Sequence, residues 1–358
     1  MANSCEAFSY GAPQVNISTF LTPTIALRVE SAGQNGSQWE VSEERNLGSC
    51  RDLATQDLGA RPAGGTIVTN FWDIGLGKLF KTFMADEAVS GGGPYVHGML
   101  YDDSAELNLF SAQLHYSPTL ALSLLGAVVN SWELAVAKKE RAKLTFNWEA
   151  KDTGLSSDNS AGSGYFWHYS PTTNTPNITN PATLYPAAAR GLWFYDASIY
   201  RGGTFTFNPT TQRCAVAAPT QLTTISGATI AVNHNVDTDG YFLASDRTRG
   251  AFCAQNRDID LTLELDWCDK DVTLYQLAEA GAPFGIKLTL LKTATIGAEL
   301  YFPSVFLAPF ALPDVSGDKA KRTISVKGKA LSADVTNTTS GTTKMAMNLV
   351  ILSNEATI

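Results

Sequence analysis

Asp258–Trp267 reads DIDLTLELDW, and this stretch decides the fold class. Ile259, Leu261, Leu263, Leu265 and Trp267 alternate with Asp260, Thr262, Glu264 and Asp266. A period of two sets one face of a strand on a core and the other in water. The same rhythm recurs from Val129 to Trp148, where Trp132, Leu134 and Val136 alternate with Glu133 and Ala135. A charged turn at Lys138 to Arg141 follows, then Leu144, Phe146 and Trp148. Met345, Met347, Leu349 and Ile351 predict another alternating strand near the end. The chain is therefore expected to be mainly β.

Two segments break the rhythm with helical spacing. LGKLFKTFMADE carries Leu76, Leu79, Phe80 and Phe83 at intervals of three and four. DKDVTLYQLAEAG sets Val272, Tyr275 and Ala278 on one face, with Leu274 and Leu277 beside it. Asp269 or Asp271 suits the N-cap of the second helix, and Gly281 sits where it should stop.

Both helices follow a tryptophan at the same distance, Trp72 before Leu79–Phe80 and Trp267 before Leu274–Tyr275. Upstream of each lies an expected hairpin, turning near Asn35-Gly36 and near Asp239-Gly240, dipeptides that accept positive φ. Downstream, LALSLLG and KLTFNWEAKD are matched by GIKLTLL and RTISVKGKALSAD. GLWFYDASIYR and TKMAMNLVILSN are read as the closing strands. The order hairpin, strand, helix, strand, hairpin arm, final strand thus occurs twice. Asn70 falls where the second copy has Leu265. The organisation expected is an N-terminal arm (1–21), a first β module (22–207), a linker (208–221) and a second β module (222–358), each module a sandwich or barrel with one short flanking helix. Residues 153–189, rich in Gly, Ser, Thr, Asn and Pro, read as a surface insertion whose aromatic run GYFWHYS either meets a partner or folds back on its own module.

Composition narrows the function. The 358 residues carry 26 Lys and Arg against 34 Asp and Glu, a net charge of −8. Wrapping around nucleic acid needs a surplus of cations, which is absent here. MANSCEAFSYGAPQ has no basic or apolar leader pattern, and no run of about 18 apolar residues suggests a membrane span. Cys5, Cys50, Cys214, Cys253 and Cys268 are scattered and form no CxxC pair, so buried thiols are expected.

His97, His115, His168 and His234 lack metal or catalytic spacing, and no nucleophile elbow or P-loop is present. Gly91-Gly92-Gly93 reads as a flexible loop. Asn235, Asp237, Asp239, Gly240 and Asp246 mimic the spacing of a calcium loop, but the flanking patterns are strands and the final Glu is missing, so a β-turn is expected. Asn16, Asn35, Asn177 and Asn337 begin Asn-X-Ser/Thr sequons, read as chance matches in an Asn- and Thr-rich surface. Neither a catalytic residue, a cofactor nor a metal is expected.

ARPAGGTIVTNFWDIGLGKLFKTFM resembles the strand-to-helix region of the tail tube proteins of long-tailed siphophages, and LSLLGAVVNSWELAVAKKERAKLTFNWEAKD resembles the strands that follow it. The likeness spans roughly Ile25 to Ile351, omitting the insertion. It implies a structural virion protein that assembles with itself into stacked rings, forming a tube through which DNA is ejected. Three chains with two tube domains each would complete a ring of six domains; six chains with one composite domain each is the competing version. Tail terminator, tape measure and distal tail proteins are the other partners it implies. It also implies assembly in the host cytoplasm and a place in the virion tail. On this reading Asp260, Thr262, Glu264 and Asp266 are candidates for a lumen-facing stripe, or else an ordinary solvated face. Leu79, Phe80, Phe83, Leu274, Tyr275 and Leu277 are candidates for contacts between domains or subunits, or else plugs for the sandwich ends. A different class, a virion decoration or adhesin sandwich, would use Tyr165, Phe166, Trp167 and Tyr169 on glycans.

Overall fold

The computed structural model describes residues 7–12, 20–35, 41–44, 55–58, 63–72, 75–101, 107–117, 120–157, 165–167, 180–185, 190–240, 251–253, 255–266, 272–311 and 323–354. The fold is mainly β. The first half contains β1 (Ala7–Tyr10), β2 (Ile25–Asn35), β3 (Val41–Glu44), β4 (Thr55–Leu58), β5 (Gly64–Asn70), α1 (Leu76–Met84), β6 (Ala85–Ser90), β7 (Tyr95–Tyr101), β8 (Phe110–Ser117), β9 (Leu120–Ala137), β10 (Lys143–Ser157) and β11 (Tyr165–Trp167). The second contains β12 (Ala197–Arg201), β13 (Thr204–Asn208), β14 (Arg213–Ala217), β15 (Thr220–Gln221), β16 (Ile225–Asn233), β17 (Asp258–Asp266), α2 (Val272–Glu279), β18 (Phe284–Thr293), β19 (Ile296–Leu307), β20 (Thr323–Ala330), β21 (Ala333–Asn337), β22 (Thr342–Met345) and β23 (Asn348–Ser353).

Six strands of the first half close on themselves in the order β1-β2-β5-β10-β9-β8, with β8 returning to β1. Closure gives each of the six strands a neighbour on both sides along part of its length. Its interior is aromatic. Phe8, Phe80, Phe146, Trp132 and Trp148 are fully buried, and α1 lays Phe80 and Phe83 edge-on and flat against Trp132 at 5.5 and 6.2 Å. Such ring pairs add about 0.5–1.5 kcal/mol each to simple area burial.

The second half repeats the neighbour order: β16-β17-β20-β19-β18-β12, with β23 prolonging the line of β20 along β19. The irregularities repeat too. β2 is bulged between Val29 and Ser31 opposite β5, and β16 between Ile225 and Gly227 opposite β17. β8 slips between Phe110 and Ala112, β18 between Phe284 and Ile286. The seam that β1 and β2 zip over four pairs is held here by β12 and β15 over two, plus the Leu222 N–H to the Ile199 carbonyl.

Several local expectations are met. β17 alternates, with Ile259, Leu261, Leu263 and Leu265 buried, and β9 and β10 form a long hairpin across Lys138 to Arg141. Gly281, at φ +60°, ends α2: the Ala282 N–H reaches the Leu277 carbonyl and the Gly281 N–H that of Ala278. Asp269 and Asp271 lie outside the described residues.

Other expectations are corrected. β2 does not turn back on the strand that follows Asn35-Gly36; its partner is the distant β5. β16 pairs with β17, the next described strand, and the return arm expected just after Asp239-Gly240 lies outside the described residues. Ala7–Tyr10, within the stretch read as an arm, is a buried barrel strand. GLWFYDASIYR, expected to close the first module, supplies β12 to the second-half sheet by pairing with β18. β10 runs on to Ser157, so the insertion begins later than residue 153, and the 208–221 stretch carries β14 and β15 rather than an open tether. Gly91-Gly92-Gly93 is the turn of the β6–β7 hairpin, which reaches out of the first half to pair β7 with β23.

The Met345–Ile351 alternation also fails, because β23 is buried on both faces. Leu349 and Ile351 enter the main core. Val350 and Leu352 face a second core with Phe207, Cys214, Tyr301, Val335 and Met345. That second core lies under a small sheet, β14-β13-β21-β22. Asn348 clamps the small sheet down, its side chain accepting from the Cys214 N–H at 2.9 Å and donating to the Met99 and Gln212 carbonyls at 2.8 Å. Glu299 adds a buried ionic tie, 2.8 Å from Lys287 and 3.1 Å from Arg213, with the Tyr301 hydroxyl donating to it at 2.8 Å. Burial alone would raise the Glu299 pKa, but its hydrogen bonds and cations outweigh that and hold it low.

Two histidines are kept neutral by the fold. Burial pushes His115 down to about 4, and burial together with nearby Arg257 pushes His234 down to about 3, from an ordinary 6.5. A depressed histidine contributes stability that is whole above pH 6.5 and drains away as pH falls towards the folded value. Denaturant melts should therefore show stability declining from about pH 6.5 to 4, with roughly two protons taken up on unfolding. His234→Gln should flatten that slope by about one proton; a flat profile in the parent protein would contradict the account.

Candidate functional site: a polar sheet face shared by two halves

β9 is 18 residues long and serves two partners along one edge. Its first part, Leu120–Ala127, pairs with β8 inside the barrel. Its last part, Ser131–Ala137, leaves β8 behind and pairs with Asn233–Gly227 of β16. One sheet therefore runs through both halves in the order β2-β5-β10-β9-β16-β17-β20.

Both ends of this joint are fastened. At one, Lys138 lies 3.3 Å from Asp266. At the other, the Trp132 indole N–H donates to the Tyr101 hydroxyl at 2.9 Å, Arg257 stacks 3.8 Å over the Tyr101 ring, and the His234 N–H reaches the Asn130 carbonyl at 2.8 Å. Burial drives the Tyr101 pKa well above its usual value, so the phenol stays protonated.

One face of the shared sheet packs on the core; the other is polar. The candidate stripe Asp260, Thr262, Glu264 and Asp266 lies on that polar face, opposite Lys329, Lys327, Ser325 and Thr323 of β20 in turn. The stripe is not bare acid. Lys329 sits 3.4 Å from Asp258 and 3.7 Å from Asp260, and Lys143 sits 3.1 Å from Glu30. Across the face, Lys138, Lys143, Lys327 and Lys329 are outnumbered by Glu30, Glu133, Glu149, Asp258, Asp260, Glu264 and Asp266. The surface is broad, hydrogen-bonding and mildly acidic, and a cavity opens beside it where Lys138 and Asp266 meet Ser226 and Gly227. Its charge offers no cationic grip for phosphate.

The mainly β fold agrees with the sequence comparison: a family model described as phage tail tube protein matches residues 8–338. The chain belongs to the phage tail tube family. It is thus a structural component of a virion tail, from a family that assembles with itself into a tube. No curated protein matches its sequence.

The remaining candidates in this tail tube protein resolve as follows. Leu79, Phe80 and Phe83 are spent inside their own barrel core, as is Leu274 in the second half. Tyr275 and Leu277 are half-buried, Tyr275 meeting Phe310 edge-on at 5.6 Å. Tyr165, Phe166 and Trp167 form β11 on the edge of β10, while Tyr169 and His168 lie outside the described residues. The calcium-like spacing is absorbed by turns. The Asp237 carboxylate accepts the Asp239 N–H at 2.9 Å, and the Asn235 side chain donates to the Asn256 carbonyl at 2.6 Å. Asp246 is outside the described residues. Cys214 is buried, but Cys253 is exposed, against expectation; the other three cysteines are not described. His97 pairs with Glu87 at 2.9 Å, and His115 with the Ser9 hydroxyl at 2.7 Å. Among the described residues no group of three or more His, Cys, Asp or Glu is placed to hold a metal, and no helix is long and apolar enough to cross a membrane.

The β9–β16 joint escaped the sequence reading. Its only trace there is the length of β9, longer than a small barrel needs. Ala231 sits mid-joint, opposite Glu133 on one side and Asp260 on the other. Whichever way its N–H points, proline there removes a ladder bond, so Ala231→Pro should cost about 3 kcal/mol or more in a denaturant melt. Lys329→Ala, which loses only exposed ion pairs, should leave the melting temperature unchanged.

Proposed function

We propose that three copies of this chain form one ring of six tube modules, and that stacked rings form the tail tube through which the phage genome is ejected. The two modules are the strand sets β1-β2-β5-β10-β9-β8 and β12-β16-β17-β20-β19-β18. The single observation that carries this reading is the β9–β16 joint. It fuses two similarly ordered modules head to tail, and a head-to-tail contact repeated about an axis closes a ring.

One half of a second such joint lies on the surface. β2 pairs with β5 over Val29–Asn35 and with β1 over Ile25–Arg28, so its Val29–Asn35 stretch uses one edge only among the described residues. By the shared bulge this stretch matches Ile225–Ala231 of β16. β19 matches β9, because Phe306 stands opposite Lys329 as Val128 stands opposite Glu149. By that match, the partner for β2 of the next copy would come from the chain after β19, from Phe310 on into residues 312–322, which lie outside the described residues. Three such junctions close the polar face into a continuous lumen wall, with Asp260, Thr262, Glu264 and Asp266 towards the DNA. A terminator, a tape measure and a distal tail protein, with assembly in the host cytoplasm, complete the expected setting from family resemblance.

Native mass measurement of one isolated ring should give three chains of 38.4 kDa; six would reject the fused-module arrangement. Successive strand N–H groups point to opposite edges, so of Ala32→Pro and Gly33→Pro one should disrupt the β2–β5 ladder. The other should yield a folded chain that forms no rings. Replacing Asp260 and Glu264 together by lysine should leave tubes intact yet slow DNA exit from reconstituted particles, with added salt relieving the delay. Unchanged exit would move this face off the DNA path.

A further inference from the structure

The intramolecular joint has an apolar seal beside its hydrogen-bonded strands. Val128 of β9 is 1% exposed and lies in a small cluster with Leu109 and Val236, flanked by Leu107 and Phe252. Val236 and Phe252 belong to the excursion that leads from β16 to β17. The second module thus covers Val128 of the first with its own β16-to-β17 excursion.

The position in the second half that matches Val128 is Phe306, by the ladder register given above. Phe306 is 38% exposed. Leu331, whose N–H binds the Ser304 carbonyl on the same stretch of β19, is 41% exposed. Gly281 borders Phe306, since a Cβ built on it would lie 3.6 Å from the ring. Phe306 and Leu331 lie two positions apart along the β19–β20 ladder, and covering them on assembly would be favourable.

The matching segment lies on another copy. The counterpart of the β16-to-β17 excursion is the chain from β2 to β5, which contains β3 and β4. These two strands pair with each other, Val41↔Leu58 to Glu44↔Thr55, and with no other strand among the described residues. They stand apart from the large sheet, next in sequence to the β2 edge at which the neighbouring chain would join.

We propose that Phe306 and Leu331 are an apolar seat for the β3–β4 excursion of a second copy, sealing the joint between chains as Val236 and Phe252 seal the joint within one. The proposal rests on the three-chain ring and adds its partner segment. It also fixes polarity: each chain presents the seat from its second module and the cover from its first.

Hydroxyl-radical footprinting and amide exchange on free chains and on assembled rings test both ideas separately. The β2 peptide Val29–Asn35 reports the ring joint itself. Slowed exchange there, with several-fold slower oxidation of Phe306 and Leu331 and slowed exchange over Val41–Leu58, is the expected result. Protection of Val29–Asn35 with Phe306 still oxidised at the free-chain rate would overturn the seat and leave the ring standing. A protected Phe306 without protection of Val41–Leu58 would overturn the choice of occupant. No protection of Val29–Asn35 in rings would remove the joint and the seat together. Phe306→Asp should melt like the parent chain but need at least tenfold more protein for half-assembly, with Phe306→Leu restoring most of the loss; equal assembly of Phe306→Asp and the parent would also overturn the seat.

Discussion

The structure depends on one strand being shared. β9 is buried on both faces through its first half and on one face through its second, where Glu133 and Ala137 are exposed. The change coincides with a bulge at Asn130 of β9, where Val129 and Ser131 stand opposite the consecutive Trp148 and Asn147 of β10. A bulge of this kind sharpens the local twist and re-aims the strand. Beyond it β9 leaves the barrel and offers its edge to β16. Because a hydrogen-bonded ladder permits no slip without turning every side chain over, the two halves are held in one register.

That constraint explains what the sequence could and could not reveal. Period-two patterning identifies a strand exposed on one side, so β17 and the second half of β9 were plain to read. A strand covered on both sides has no polar partner residues to mark its faces. β1 buries even Ser9, and β23 buries Asn348 and Ser353, so neither announces itself. Turn dipeptides were legible as turns but not as hairpins, since a dipeptide says where a chain bends and not which strand it meets next. The apparent mismatch of Asn70 with Leu265 has the same origin. Across the ladder Leu265 stands opposite Ile324, as Thr69 stands opposite Leu144, so the true counterpart is Thr69, one residue away from the count made by tryptophan spacing.

The candidate face was legible in its acids and not in its bases. Asp260, Thr262, Glu264 and Asp266 lie in consecutive alternate positions, whereas Lys327 and Lys329 reach them from a strand more than sixty residues later, by pairing alone. Their effect is to temper the charge without reversing it. The helices were read correctly as helices, but Leu79, Phe80, Phe83 and Leu274 close their own cores, while Val272 of α2 stays exposed. Exposed apolar side chains also sit at Phe306 and Leu331, where no periodic pattern would single them out.

The two halves are not interchangeable. Only the second carries the small β14-β13-β21-β22 sheet, pinned by Asn348 and by Glu299 over β23 and β19. Seen down the axis of a three-chain ring, such a cap would recur every 120° instead of every 60°. Whatever meets that cap would then find three equivalent places on the proposed ring, not six.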